Sequence, residues 1–93
     1  MVKGGWVYIM ANKTHSVLYT GVTSNIETRV AQHKSGEGSQ FTSKYKVTKL
    51  VFTEHFPTIQ QAIDAEKKIK KRRRSAKVKL IEADNLEWQD LAE

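Results

Sequence analysis

Glu66 stands where an apolar side chain is expected. At about 100° per residue, Ile59, Ala62, Ile63 and Ile69 share one face of a helix, and Glu66 sits in the middle of that stripe. An inward carboxylate has to be paired, hydrogen-bonded or bound to a metal, because burying it bare is costly. The plain alternative is that it reaches out to solvent or pairs with Lys70, one turn on. A second segment shows the same conflict. Ile26 and Val30 set its inward stripe, His33 lies between their directions, and Arg29 flanks them one turn before His33. Arg29 can hold a phosphate through two parallel N–H bonds, and His33 can move a proton near neutral pH. A lone histidine there is most often a satisfied structural residue; beside an arginine and a second inward polar group it is less easily dismissed. Tyr8 and Tyr19 lie in two short β-rich runs. Their default role is packing with the hydroxyl at an edge.

These residues need elements to position them, and the chain supplies candidates for each. Trp6 to Met10 and Ser16 to Gly21 are candidate strands, joined by the polar stretch Ala11 to His15, which is the length of a hairpin connection. Ser24-Asn25-Ile26-Glu27 has capping-box form, so a helix starts after Ser24 and runs to Lys34, with Gly36 as its stop. Glu37 to Lys46 is rich in Gly, Ser, Thr and Lys and reads as a loop. Lys49 to Phe56 is a third strand, ended by Pro57. Thr58-Ile59-Gln60-Gln61 offers a second capping box for a helix reaching Lys71. A break at residues 72–75 precedes a short helix through Ile81, and Trp88 and Leu91 in the tail 84–93 dock onto the body. The fold class is α+β: a three-stranded, antiparallel or mixed sheet backed by helices, in the order β-β-α-β-α-α, as one domain over residues 1–93.

Composition narrows the partners. Sixteen Lys and Arg against ten Asp and Glu leave a net charge of +6. Lys67, Lys68, Lys70, Lys71, Arg72, Arg73 and Arg74 crowd one segment, with Lys77 and Lys79 beyond. Such a block points to a polyanion bound through counterion release, with a solvated helix face or anionic lipid as the alternatives. With no cysteine, disulfides and thiolate metal sites are excluded. The N-terminal run Met1 to Gly5 does not lead into a signal-peptide core, and no apolar run spans a bilayer. The expectation is a soluble, cytoplasmic protein with no membrane partner.

Taken in chain order, the motifs resemble those of the GIY-YIG endonucleases. Trp6-Val7-Tyr8 stands for the first signature, with its Gly and Ile replaced, and Tyr19-Thr20-Gly21 stands for the second, with Thr20 for Ile. Arg29 matches the family's helix arginine, His33 the histidine that several members carry one turn later, and Glu66 the metal-binding glutamate of a later helix. The chain looks most like the short stand-alone bacterial-type members, although Leu86 follows Asn85 where those usually have Pro.

This resemblance implies metal-dependent hydrolysis of phosphodiester bonds in DNA, in repair or recombination, with branched or nicked DNA as candidate substrates and RNA not excluded. Glu66 would hold one divalent ion, Mg²⁺ or Mn²⁺. Tyr8, Tyr19, Arg29 and His33 would complete the catalytic set, with Tyr8 activating water and the ion or Arg29 lowering its pKa. Lys44, Lys46, Lys67, Lys70, Lys71, Arg73 and Arg74 would contact the nucleic-acid backbone without reading sequence. The alternatives are a nucleic-acid-binding module of this fold that does not cut, and an adaptor whose basic helix meets an acidic partner. Oligomeric state is open.

Overall fold

The computed structural model describes residues 3–92; Met1, Val2 and Glu93, the outer ends of the two terminal readings, lie outside them. Three strands, β1 (Gly5–Ala11), β2 (Leu18–Thr23) and β3 (Lys49–Phe56), form an antiparallel sheet in the order β2-β1-β3. Helix α1 (Ile26–Lys34) comes after β2, a short α2 (Gln40–Lys44) precedes β3, and α3 (Ile59–Lys70) and α4 (Arg74–Asp84) come after it.

The central strand explains the layering. Side chains alternate along a strand, and β1 is buried on both faces. Val7, Ile9 and Ala11 pack with Val51, Phe52, Ala62, Ile69, Ile81 and Trp88, beneath α3 and α4. Tyr8 and Met10 pack on the opposite side with Val30, Val47 and Leu50, beneath α1. A bulge between Ile9 and Met10 on the β3 side leaves Val51 as the extra residue of the ladder.

Several boundaries differ from expectation, each for a local reason. Strand β2 starts at Leu18, two residues late, because Ser16 and Val17 belong to the turn. There Asn12 Oδ1 accepts from Val17 N–H at 3.1 Å, and His15 takes φ 61°. Helix α1 is capped by Asn25, not Ser24: Asn25 Oδ1 accepts from Thr28 N–H at 3.2 Å, and Thr23 Oγ1 holds Asn25 N–H at 3.1 Å. Asn and Ser cap about equally well, so this neighbouring bond decides between them. The helix stops as expected, with Gly36 at φ 84°. The Thr58–Gln61 capping box of α3 is present with both reciprocal bonds.

Two stretches hold more helix than expected. The expected loop 37–46 contains α2, capped by Ser39 Oγ on Thr42 N–H at 3.1 Å. Helix α4 continues three residues past Ile81, until Asn85 turns the chain. Asn85 Nδ2 donates to the carbonyls of Val51 (3.1 Å) and Gln89 (2.9 Å), which folds the tail back on β3. Trp88 is buried there, stacks on His15 at 4.4 Å, and donates its indole N–H to Glu82 at 2.7 Å. Leu91 docks through its backbone N–H to the Leu50 carbonyl at 2.8 Å, while its side chain stays exposed.

Candidate active site

Four of the five expected residues converge on the α1 side of the sheet. Tyr8 from β1 and Tyr19 from β2 lie 6.3 Å apart between ring centroids. His33 from α1 comes within 5.6 Å of the Tyr8 ring and 5.3 Å of the Tyr19 ring. The Tyr8 hydroxyl and His33 Nε2 are hydrogen-bonded at 2.9 Å. Arg29 donates Nη1–H to Gln32 Oε1 at 3.0 Å, and its guanidinium is also within reach of the Tyr8 and Tyr19 hydroxyls.

Glycine geometry makes this convergence possible. Gly21 pairs with Tyr8 across the ladder. A Cβ at Gly21 would lie 2.4 Å from the Tyr8 hydroxyl oxygen and 2.4 Å from its ring carbon, so a larger residue would displace the tyrosine. Gly38 does the same for His33: a Cβ there would come within 2.1 Å of Nδ1. The glycine of the Tyr19-Thr20-Gly21 motif thus has a steric meaning.

His33 is fully buried and its second nitrogen is also engaged. Nδ1 lies 3.1 Å from Thr42 Oγ1, and Thr42 in turn donates to the Ser39 carbonyl at 3.3 Å. With that hydroxyl proton committed to Ser39, the network assigns the proton to Nδ1 and leaves the Nε2 lone pair to accept from Tyr8. Burial, followed by the charge of Arg29, holds the His33 pKa below its usual value, so the ring is neutral at pH 7. The Tyr8 pKa is raised, chiefly by burial; the Arg29 hydrogen bond opposes this, while Tyr19 and Glu66 add to it. Arg29 thus pulls the tyrosine in the expected direction, but burial outweighs it and the net shift is upward. Arg29 itself is held more firmly protonated, first by the Tyr8 hydroxyl.

Glu66 is on α3, 8% exposed, and near enough for its charge to act on Tyr8. Its carboxylate pairs with Lys70 at 2.9 Å, so the plain alternative for an inward carboxylate is also realised. Among the described residues no group of three or more His, Asp or Glu converges to hold a metal. Glu66 is thus a single hard oxygen donor with one displaceable partner. That donor set fits a cation taking one protein carboxylate, waters and substrate phosphate.

The predicted backbone-binding cations are spread over the surface. Lys44, Lys46, Lys67, Lys71 and Arg73 are exposed. Lys70 is engaged by Glu66, and Arg74 donates to the carbonyls of His15 and Ser16, which fastens α4 to the β1–β2 turn. Thr42, Gly38 and the exposed rings of Phe41 and Tyr45 were not marked by the sequence. The four-residue spacing of Phe41 and Tyr45 behind a capping serine was the available signal. A groove of about 530 Å³ on the far flank of α1, lined by Trp6, Ile26, Val30, Leu50 and Leu91 among others, holds none of the clustered groups.

The family and fold have counterparts among known proteins. Residues 4–79 match the family model of the GIY-YIG catalytic domain. The chain belongs to the GIY-YIG family, a nuclease-type family. A UPF0213 protein of Staphylococcus haemolyticus is 40% identical over 77 residues, covering 83% of this chain and 93% of that one. A UPF0213 protein of Natronomonas pharaonis is 37% identical over 81 residues, covering 87% of this chain and 94% of that one. The solution NMR structure of a UPF0213 protein from Bacillus halodurans superposes with TM-score 0.58 at 30% identity, covering 92% of this chain and 90% of that one. No helix among the described residues is long and apolar enough to cross a membrane.

Proposed function

We propose that the chain is an endonuclease that hydrolyses phosphodiester bonds in DNA, branched or nicked forms included, and that it requires Mg²⁺ or Mn²⁺. The observation that carries this reading is the hydrogen-bonded Tyr8–His33 pair, set beside Arg29 and within electrostatic reach of the buried Glu66. Packing alone does not call for four polar groups gathered on one side of the sheet with a buried carboxylate in electrostatic reach.

The roles derive from the protonation states. Tyr8 and His33 are both neutral, so Tyr8 can take a proton from attacking water only as it passes its own proton to His33 Nε2. The water oxygen then bonds to phosphorus while the bond to the leaving oxygen breaks, and that oxygen is protonated from solvent. Arg29 binds the phosphate and stabilises the charge that grows on its free oxygens. Tyr19 fixes the other side of the tyrosine–histidine cluster. Glu66 would hold the divalent ion, which supplies charge neutralisation at the scissile phosphate. The exposed lysines hold the backbone on either side.

Incubating the chain with nicked and branched DNA tests this directly. Cleavage is expected with Mg²⁺ or Mn²⁺, none with EDTA, and none in Glu66→Ala. Cleavage by Tyr8→Phe at the parental rate would remove Tyr8 from its role. A second reading, a DNA-binding module that does not cut, is favoured by one observation, the Glu66–Lys70 pair that satisfies the carboxylate without a metal. Parental DNA binding with no cleavage under either ion would establish it.

A further inference from the structure

Helix α2 is five residues long, and two of its neighbouring side chains are aromatic rings left open to solvent. Phe41 is 45% exposed and Tyr45 is 42% exposed. They continue a line of rings that begins in the buried cluster. Tyr19 stands 5.3 Å from His33, Phe41 stands 6.1 Å from Tyr19, and Tyr45 stands 4.9 Å from Phe41. The line therefore leads from the Tyr8–His33 pair out to the surface without interruption.

Its flanks are cationic. Lys44 Nζ lies 5.4 Å from the Tyr45 ring centroid. Lys70 and Lys77 line a shallow depression together with Leu18, Tyr19, Thr20 and Phe41. Lys46 is exposed at the end of the helix. Rings 6.1 and 4.9 Å apart, tilted to one another and with lysines alongside, complement a chain that alternates flat bases with phosphates. A protein partner's apolar surface has no use for that alternation of ring and charge. A paired duplex hides its base faces in the stack and offers the rings nothing.

We infer that Phe41 and Tyr45 form a stacking platform for unpaired nucleotides, and that the DNA this protein prefers carries a single-stranded segment next to the scissile bond. This deepens the nuclease reading and rests on it for the word scissile; the binding itself does not depend on cleavage. Stacking is tolerant of sequence because every base has a π-face, so the platform selects strandedness and not sequence. Lys44, Lys46, Lys70 and Lys77 hold the phosphates of the same strand.

Binding is measured without metal, in EDTA, by fluorescence anisotropy on a flap substrate and on a blunt duplex of equal length. The first unpaired base of the flap is 2-aminopurine, whose emission is quenched when it stacks on a ring. The parent is expected to bind the flap more tightly than the duplex and to quench the probe. Phe41→Ala/Tyr45→Ala is expected to weaken flap binding by about tenfold or more, restore the emission, and leave duplex binding within about twofold. Phe41→Leu/Tyr45→Leu, which keeps apolar bulk on α2 but no flat ring, carries the same expectation should the alanine pair unfold. Phe41→Tyr/Tyr45→Phe should behave as the parent.

Equal loss on flap and duplex, or an unchanged flap affinity, overturns the platform. So does a change from dimer to monomer in the alanine or leucine pair with flap binding intact, which would give the rings to a second copy of the chain. Failure of the nuclease reading looks different: flap preference and quenching survive, but Mg²⁺ and Mn²⁺ bring no cleavage of any substrate.

Discussion

Two carboxylates of this chain are buried to the same degree and bonded in opposite ways. The side chains of Glu66 and Asp90 are each 11% exposed, and each meets one lysine. Asp90 is bonded across the fold: it pairs with Lys34 of α1, accepts from Leu50 N–H of β3 at 3.2 Å, and accepts from Ala92 N–H at 3.0 Å. Burial pushes its pKa up, but Lys34 and the two backbone N–H groups outweigh that and leave it below the usual carboxylate value. Glu66 has Lys70, one turn along its own helix, and Lys70 is half exposed. Its pair crosses no tertiary boundary. Asp90 spends its capacity on fastening the tail to α1 and β3; Glu66 keeps most of its capacity free, within electrostatic reach of Tyr8. A carboxylate bonded to distant backbone holds the structure, and one bonded to a swinging neighbour is available for chemistry.

The largest test of that contrast is reciprocal. Glu66→Gln is expected to lower metal-dependent cleavage by at least roughly a hundredfold, the scale on which a single electrostatic contact to a transition state acts. Its thermal midpoint should match or slightly exceed the parent's, because an inward charge with one local partner adds little to stability. A midpoint that falls by about ten degrees would make Glu66 a structural residue like Asp90. Asp90→Ala should do the reverse. Leaving Leu50 N–H and Lys34 without their acceptor costs about 2 kcal/mol, or roughly ten degrees of midpoint for a domain of this size, with cleavage per folded molecule unchanged.

Acid titration separates the two regions further and more gently. The folded pKa of His33 lies below its ordinary 6.5, so the unfolded chain binds a proton first as pH falls. Stability is then full above about pH 6.5 and declines below it, by a few degrees of midpoint, and His33→Gln flattens that decline. His15, lowered by burial and by Lys49 and Arg74, adds a share of the same sign. Asp90 has a folded pKa below 3.8, so its contribution is present above that pH and is lost only beneath it. Calorimetric scans across this range should show two separate losses. The smallest expected effect is that of Lys70→Met, because the partner it removes is half exposed and lies within one helix. Lys34→Met should cost clearly more, since its partner is anchored across the fold.

How much of this the residues disclosed in advance depends on where each element gets its stability. Strands β1 and β3 and helices α1 and α3 were legible because their apolar periodicity and caps are local. Glu66 was legible as an anomaly in a stripe, and the structure keeps both of its readings, inward burial and the Lys70 pair. Helix α2 was hidden. A five-residue helix cannot stand alone; it forms where Ser39 caps it, Thr42 bonds His33 and Phe41 meets Tyr19. None of those partners is nearby in sequence except the cap. The raised pKa of Tyr8 was hidden for a related reason: desolvation depends on what packs around the ring, and spacing does not report it.

The contact between Gly21 and Tyr8 carries a consequence for how this sequence can vary. The space a side chain would fill at position 21 is occupied by the tyrosine of the neighbouring strand. Two positions far apart in the chain therefore share one volume. Saturation mutagenesis at position 21, scored for folded protein, should return glycine alone while Tyr8 is kept. With Tyr8→Ala in the background, alanine and serine should appear there too. The second signature motif would then be, in part, the imprint of the first.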